Sequence, residues 1–121
     1  MNLGLEGKVA VITGGSDGIG KAAALSMSRE GVRVAIAARD QSRLDAAVAD
    51  ISDQTQNPVL GISTDVRDED SVRSLISQVV DEWGGIDILV NNAGTSSTSR
   101  LEEMSNEIMT ADIELKVYGA V

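Results

Sequence analysis

Four short apolar segments, separated by stretches of helical periodicity, constrain the fold of this chain more than any other feature. They span residues 8–13, 32–37, 59–63 and 86–91. Their apolar residues are mostly continuous and β-branched, which is typical of parallel strands buried on both faces. Alternation of such strands with helices predicts a parallel sheet with right-handed crossovers. We therefore expect a doubly wound α/β domain with strand order 3-2-1-4 and helices on both faces of the sheet.

The stretches between the segments carry the expected helical signals. Apolar residues recur at helical spacing over residues 44–51 and again over 72–83. Acidic residues at 68–70 favour the start of the second of these helices, and Gly84 favours its end. A further helix is predicted from Gly18 to about Arg29, and a fourth within residues 101–121.

Composition excludes several classes of function. The 121 residues include no Cys and no His, which excludes disulfides, zinc–sulfur sites and His-based catalytic triads. Acids outnumber bases 19 to 10, giving a net charge of −9 that argues against nucleic-acid binding. No apolar run approaches the roughly 20 residues of a membrane span, and the N-terminus lacks the pattern of a signal peptide. We expect a cytoplasmic globular protein that binds neither nucleic acid nor membrane.

A glycine-rich turn joins the first predicted strand to the first predicted helix. Within it, Gly18, Gly20 and Ala23 match the G-x-G-x-x-[G/A] dinucleotide fingerprint in its strand–turn–helix context. Glycines let a diphosphate approach the bare backbone, and the free N–H groups of the helix face it. The alternative is a tight turn without a ligand, which the position after the first strand disfavours.

The same turn also resembles a P-loop, because residues 15–21 spell G-x-x-x-x-G-K. A P-loop requires Ser or Thr at the next position to bind Mg²⁺, and Ala22 has no hydroxyl. No other predicted strand ends in an Asp placed to hold the metal. A nucleoside triphosphatase is therefore disfavoured.

Three motifs in order resemble the classical branch of the short-chain dehydrogenase/reductase family. They are Thr-Gly-x-x-x-Gly-Ile-Gly at residues 13–20, Asp65-Val66, and Asn-Asn-Ala-Gly at residues 91–94. The similarity runs from about Leu5 to the end of the chain. The resemblance implies a one-domain Rossmann fold and hydride transfer between a nicotinamide cofactor and a small carbonyl or alcohol substrate.

The resemblance also assigns roles to individual residues. The residues expected around the pyrophosphate and the adenosine ribose are Gly14, Ser16, Gly18, Ile19 and Gly20. Asp65 would accept a hydrogen bond from the adenine amino group, and Val66 would cover the ring. Asn91, Ala93 and Gly94 would lie beside the nicotinamide. From the residues alone, Asp65 could instead be a strand-end cap, and Asn91 with its neighbour could simply form a turn.

Cofactor choice depends on the end of the second strand, where a carboxylate would bind the ribose hydroxyls of NAD. Ala38 holds that position and Arg39 follows, whose guanidinium can clamp a phosphate. NADP(H) is therefore favoured over NAD(H). Two acids count against this preference. Asp40 could reach the ribose, although we interpret it as a helix N-cap, and Asp17 lies where some NADP-preferring members carry a base.

The family's catalytic Ser and Tyr-x-x-x-Lys would follow residue 121. We therefore expect residues 1–121 to be the N-terminal part of a single Rossmann-fold domain. We expect this part to be inactive alone, because it lacks those groups and none of its own residues is assigned a definite catalytic role. Lys116 aligns with the Asn that supports a proton relay in the family's fourth helix. It could supply a hydrogen-bond donor or be a solvated lysine.

The predicted fourth helix has two apolar stripes, of which one can cover the sheet. The other has nothing to cover within these residues, and helices with two apolar faces usually meet a partner. The resemblance implies that this helix builds the subunit interface of a homo-oligomer, a dimer or tetramer. The alternative is that sequence beyond residue 121 covers the second stripe. Residues 86–91 would form an edge of the sheet, so the isolated chain would be prone to aggregate. A non-catalytic NADP(H)-binding module and one half of a split enzyme remain the alternative functions, and the sequence does not identify the substrate.

Overall fold

All five residues of the first strand are buried, and the sheet is built around this strand. The computed structural model describes residues 6–14, 18–91 and 116–119. In chain order, its elements are β1 (Val9–Thr13), α1 (Gly18–Arg29), β2 (Arg33–Ala38), α2 (Gln41–Thr55), β3 (Val59–Ser63), α3 (Glu69–Trp83), β4 (Ile88–Asn91) and β5 (Lys116–Gly119).

The strands form one parallel sheet in the order β3-β2-β1-β4-β5. The order predicted for the first four strands is therefore confirmed. Because every pairing is parallel, the carboxyl ends of the strands lie on the same edge of the sheet. The jump from β3 across the sheet to β4 creates the switch in strand order at which doubly wound sheets bind ligands.

Helices cover both faces of the sheet, as expected for a doubly wound domain. Alternate residues of a strand point to opposite faces. Val9 and Val11 of β1 belong to a buried cluster that includes the apolar stripe of α3. Ala10 and Ile12 belong to a second cluster that includes buried residues of α1 and α2. The core is thus made of Val, Ile, Leu and Ala packed in two layers around the central strands.

The start of helix α2 and both ends of helix α3 lie where the sequence predicts them. Asp40 caps the N-terminus of α2, and Asp68 caps that of α3 by accepting the N–H of Asp70. Gly84 ends α3 in the left-handed conformation with φ of 86°, and its N–H donates to the Val80 carbonyl. The caps satisfy backbone groups that would otherwise lack partners at the helix termini.

Strand β4 begins two residues later than predicted. Asp87 pairs with β1 through its side chain, because its carboxylate accepts the Val9 N–H at 2.9 Å. Its own N–H donates to the Val9 carbonyl at 2.8 Å. The carboxylate thus takes the place of a strand carbonyl, and the regular ladder starts only at Ile88, which pairs with Ala10.

The C-terminal part of the chain corrects two predictions. Residues 116–119 are a strand, so the prediction that they belong to the fourth helix is wrong, and β4 has a neighbour on both sides rather than forming an edge. The physical reason is that β4 offers unpaired backbone groups to any segment able to extend. Val117 and Tyr118 have high strand propensity. The rest of the predicted fourth helix, residues 101–115, lies outside the described residues.

Candidate dinucleotide-binding site

The carboxyl ends of the central strands bring the predicted site residues to one edge of the sheet. Thr13, the last residue of β1, is level with Ala37 of β2 and with Asn91 of β4. Ala38 at the end of β2 is level with Ser63 at the end of β3. The segments that follow these strands carry the glycine-rich turn, Arg39 and Asp65, so the register places these features side by side.

The turn after β1 has the backbone geometry that glycine alone adopts easily. Gly14 has φ of 69° and Gly18 has φ of 58°, both in the left-handed region. The Gly14 N–H donates to the Ala37 carbonyl at 2.7 Å, which ties the turn to β2. Ser16 and Asp17, together with Gly15, lie outside the described residues, so their predicted contacts stay predictions.

The N-terminus of α1 lies open at this edge. A Cβ built at Gly18 would meet no atom of the described residues within 4 Å, so a ligand can approach the backbone there. Ile19 is a large apolar residue whose side chain is 69% exposed, whereas Gly20 is buried. The first turn of α1, from Gly18 to Lys21, contains no acidic residue, and the backbone N–H groups of a helix N-terminus can bind an anion. These features suit a pyrophosphate.

Arg39 follows β2 and is exposed at the same edge. Its carbonyl accepts a hydrogen bond from Ser63 Oγ at 3.1 Å, which fixes the backbone from which the side chain projects. Among the residues that the structure describes, its guanidinium forms no ion pair within 4.0 Å. The adjacent Asp40 accepts the Arg43 N–H at 3.2 Å, which confirms its interpretation as the N-cap of α2.

Asp65 follows β3, and its carboxylate is held by Arg67. Asp65 Oδ1 accepts the backbone N–H of Arg67 at 3.0 Å and its Nε at 3.1 Å, and Oδ2 accepts Nη2 at 3.3 Å. These hydrogen bonds hold the pKa of the Asp65 carboxyl below its ordinary value of 3.8. The largest effect comes from the Arg67 side chain and the next from the Arg67 backbone N–H. The positive charge of Arg39 lowers the pKa of Asp65 in the same direction, by a smaller amount. Val66 is half-buried and packs on the α3 side of the core.

The sequence alone did not predict a role for Arg67, which lies at this edge. Its sequence signal is an Asp-x-Arg spacing, in which two side chains two residues apart can meet only if the backbone turns between them. The turn forms here because Asp65 Oδ1 also accepts the Arg67 N–H. The hydrogen bond from the Arg67 N–H thus makes Asp65 a cap at the end of β3 and also holds its carboxylate in place.

The nicotinamide side of the predicted site is described only in part. Asn91 ends β4 and its backbone pairs level with Thr13 and Gly119. Thr13 is fully buried, and its Oγ1 donates to the Val90 carbonyl at 3.5 Å, a long bond between the two strands. Ala93 and Gly94 lie outside the described residues.

Lys116 does not lie at the carboxyl edge. It is the first residue of β5 and is level with Ile88, the first residue of β4. Three residues of strand, about 10 Å, separate that level from Asn91. Because Lys116 lies in a strand, the helical setting from which its proton-relay role was inferred is wrong. The role itself stays a prediction.

Among the residues described, no helix is long and apolar enough to cross a membrane.

Comparison with known proteins agrees with this geometry. The family model for short chain dehydrogenases matches residues 8–121. An oxidoreductase of Staphylococcus saprophyticus that is itself uncharacterised is 37% identical over 117 residues, which cover 97% of this chain and 50% of that protein. The chain thus spans about half the length of the curated relatives it matches.

Two solved structures show the same fold with a bound cofactor. L-Sorbose reductase from Gluconobacter frateurii, complexed with NADPH and L-sorbose, is 42% identical with a TM-score of 0.75, over 78% of this chain and 36% of that one. The RhlG/NADP complex of Pseudomonas aeruginosa is 27% identical with a TM-score of 0.80, over 95% and 53%. The sheet order, the glycine turn and these matches together show that the chain belongs to the short-chain dehydrogenase/reductase family of oxidoreductases.

Proposed function

We propose that this chain carries the dinucleotide-binding part of an NADP(H)-dependent oxidoreductase, which transfers hydride between the nicotinamide and a small carbonyl or alcohol substrate. When bound, the cofactor supplies or accepts the hydride. The residues of this chain bind and orient it. The acid–base groups that the family uses, a Ser and a Tyr-x-x-x-Lys, are expected outside these 121 residues.

The observation that supports NADP(H) most is the end of β2. A carboxylate there would bind both ribose hydroxyls of NAD and repel a 2′-phosphate. Ala38 has no polar group, and the exposed Arg39 stands beside it. The nearest acid in sequence, Asp40, is engaged as the cap of α2. A guanidinium can bind a phosphate through two parallel N–H donors, which makes Arg39 the residue to recognise the 2′-phosphate.

The cofactor's other groups would meet residues already placed at the carboxyl edge. The pyrophosphate would lie on the N-terminus of α1, where Gly18 leaves the backbone open. Asp65 would accept a hydrogen bond from the adenine amino group, with Val66 against the ring. Asn91 would reach the nicotinamide half. Two similar proteins were solved with NADPH or NADP, which agrees with this choice of cofactor.

Substitution of Arg39 tests the proposal. Arg39→Ala, in the protein expressed from its complete reading frame, should weaken NADPH binding by about 10- to 100-fold, the effect of losing a charge-assisted hydrogen-bond pair. NADH lacks the 2′-phosphate, so its dissociation constant should change by less than about twofold. Isothermal titration calorimetry measures both constants directly.

Arg33→Ala is the matched control. Like Arg39, Arg33 is an exposed arginine, but it is the first residue of β2 and lies at the opposite end of that strand from the carboxyl edge. Its loss removes the same charge from the molecule and should leave both dissociation constants unchanged. If Arg39→Ala weakens NADPH and NADH equally, Arg39 does not recognise the 2′-phosphate.

A further inference from the structure

Both the backbone and the side chain of Asp65 are held by hydrogen bonds. Its N–H donates to Ser71 Oγ at 2.9 Å, and its carbonyl accepts the Asp68 N–H at 3.0 Å. Both contacts join the segment after β3 to the first turn of α3. Both the N–H and the carbonyl of Asp65 are therefore hydrogen-bonded.

The side chain of Asp65 is fixed by a separate set of contacts. Three donors of Arg67 reach its two oxygens, at 3.0, 3.1 and 3.3 Å. Two of the donors meet Oδ1 and one meets Oδ2. An ionised carboxylate has about four acceptor positions, so Oδ2 keeps capacity for a further donor. The carboxylate is 36% exposed, so a ligand at the carboxyl edge can reach it.

The chemistry of the carboxylate selects the kind of group that binds there. An ionised carboxylate accepts hydrogen bonds and donates none, so it attracts an amino group and repels a carbonyl oxygen. It can discriminate between the two only if it stays ionised and points at the same place in every molecule. Asp65 is ionised at neutral pH even with its ordinary pKa of 3.8. What Arg67 can supply is therefore the orientation of the carboxylate, through hydrogen bonds to both of its oxygens.

We propose that Arg67 is a positioning residue for recognition of the cofactor's base: it orients the Asp65 carboxylate so that Oδ2 accepts from the 6-amino group of adenine. This proposal rests on the proposed function, because it assumes that a dinucleotide binds at the carboxyl edge. Arg67 itself touches no part of the cofactor in this arrangement. Its effect is on selectivity for adenine over a base with oxygen at the same position.

An exposed ion pair usually contributes little to stability, and the Arg67 side chain is 70% exposed. If Arg67 only stabilised the fold, its loss would leave the selectivity for adenine unchanged. Orientation of Asp65 would change the selectivity while leaving the fold intact. The two roles are separated by comparing NADPH with its reduced 6-oxo analogue, in which hypoxanthine replaces adenine.

The experiment measures the ratio of the two dissociation constants in the protein expressed from its complete reading frame. The wild type should prefer NADPH by about tenfold or more, the effect of one charge-assisted hydrogen bond. Asp65→Ala should bring the ratio close to one. Arg67→Ala should lower the wild-type ratio by at least about threefold, and Arg67→Lys should restore part of it because a single ammonium cannot hold both oxygens.

Arg73→Ala is the matched control, since Arg73 is also an exposed arginine paired with an acid, Glu69, on α3. It should retain the wild-type ratio. The inference is overturned, with the proposed function intact, if both Arg67 variants keep the wild-type ratio. This includes the case in which they bind NADPH and its 6-oxo analogue more weakly by the same factor. It is also overturned if the wild type does not prefer adenine. If the wild type binds neither NADPH nor NADH, the proposed function fails and this inference with it.

Discussion

Gly61 in β3 shows how one missing side chain fixes the distance between the sheet and a helix. A Cβ at this position would lie 2.8 Å from Cγ2 of Val48 on α2. Val48 is β-branched and on a helix, so it has essentially one favourable rotamer and cannot turn away. The glycine therefore serves close packing of α2 on β3 rather than a special backbone angle.

Gly61→Ala should lower the free energy of unfolding by about 1–3 kcal/mol, because it overpacks a filled interface. The same substitution in a Val48→Ala background should cost clearly less, since the clashing methyl groups are gone. Urea unfolding of the four proteins in this double-mutant cycle measures the difference. An equal cost in both backgrounds would show that the contact with Val48 is not the cause.

Residue chemistry at the site was predictable where one residue type has one use. Positive φ at Gly14 and Gly18 and the cap at Asp40 follow from residue types that favour these conformations. The pairing of Arg67 with Asp65 was not predictable, because it depends on a turn whose direction only the folded backbone sets.

At the scale of the element, α2 depends on its N-cap. Asp40 Oδ1 accepts a hydrogen bond from the N–H of Arg43. Asp40 directly follows Arg39 in the chain. Because one oxygen of the carboxylate is engaged with the helix, we expect Asp40 to act as the cap rather than as the ribose ligand that would favour NAD. Stability and cofactor choice are therefore expected to separate at this position.

Asp40→Ala should lower the free energy of unfolding by about 1 kcal/mol through loss of the cap. Asp40→Asn keeps an acceptor oxygen and should lose less. Neither variant should lower the affinity for NADH, since the carboxylate is not assigned to the ribose. Chemical denaturation and calorimetric titration check the two claims, and a large loss of NADH binding in Asp40→Asn would contradict the second.

The elements that the sequence predicted well have both a periodic apolar stripe and explicit end signals. For α3, the stripe from Val72 to Val79 is buried, and Asp68 and Gly84 mark its ends. The start of β4 and the whole of β5 were missed for a different reason. A side chain, that of Asp87, replaces part of the ladder, and residues 116–119 pair because a strand is available beside them.

At the scale of the molecule, one face depends on polar links between α1 and α2. Lys21 Nζ lies 2.6 Å from the Asp50 carboxylate, and Ser28 Oγ lies 2.7 Å from Thr55 Oγ1. The hydrogen bond from Lys21, and a second from Gln54, lower the pKa of the Asp50 carboxyl below its ordinary value of 3.8. The link is therefore sensitive to acid.

The sign of the pH dependence follows from that shift. The folded state holds Asp50 ionised to lower pH than the unfolded state, so its contribution to stability is fully present above the unfolded pKa and is lost as pH falls through the folded pKa. Lys21→Met removes the partner. The difference in free energy of unfolding between pH 7 and about pH 3 should then be smaller than in the wild type.

Urea unfolding at both pH values measures this difference. Lys8→Met is the control, because Lys8 is exposed and forms no ion pair within 4.0 Å among the residues that the structure describes. It removes the same charge and should keep the wild-type difference. If Lys21→Met loses as much stability in acid as the wild type does, the ion pair does not link pH to the fold.

We propose that the carboxyl edge of this sheet binds a dinucleotide and prefers the one with a 2′-phosphate. The most direct measurement is calorimetric titration of the wild-type protein with NADPH and with NADH at one fixed salt concentration. We expect NADPH to bind about 10- to 100-fold more tightly, because we propose that Arg39 binds the 2′-phosphate at the end of β2. NADH binding as tightly as NADPH, or more tightly, would contradict the assignment.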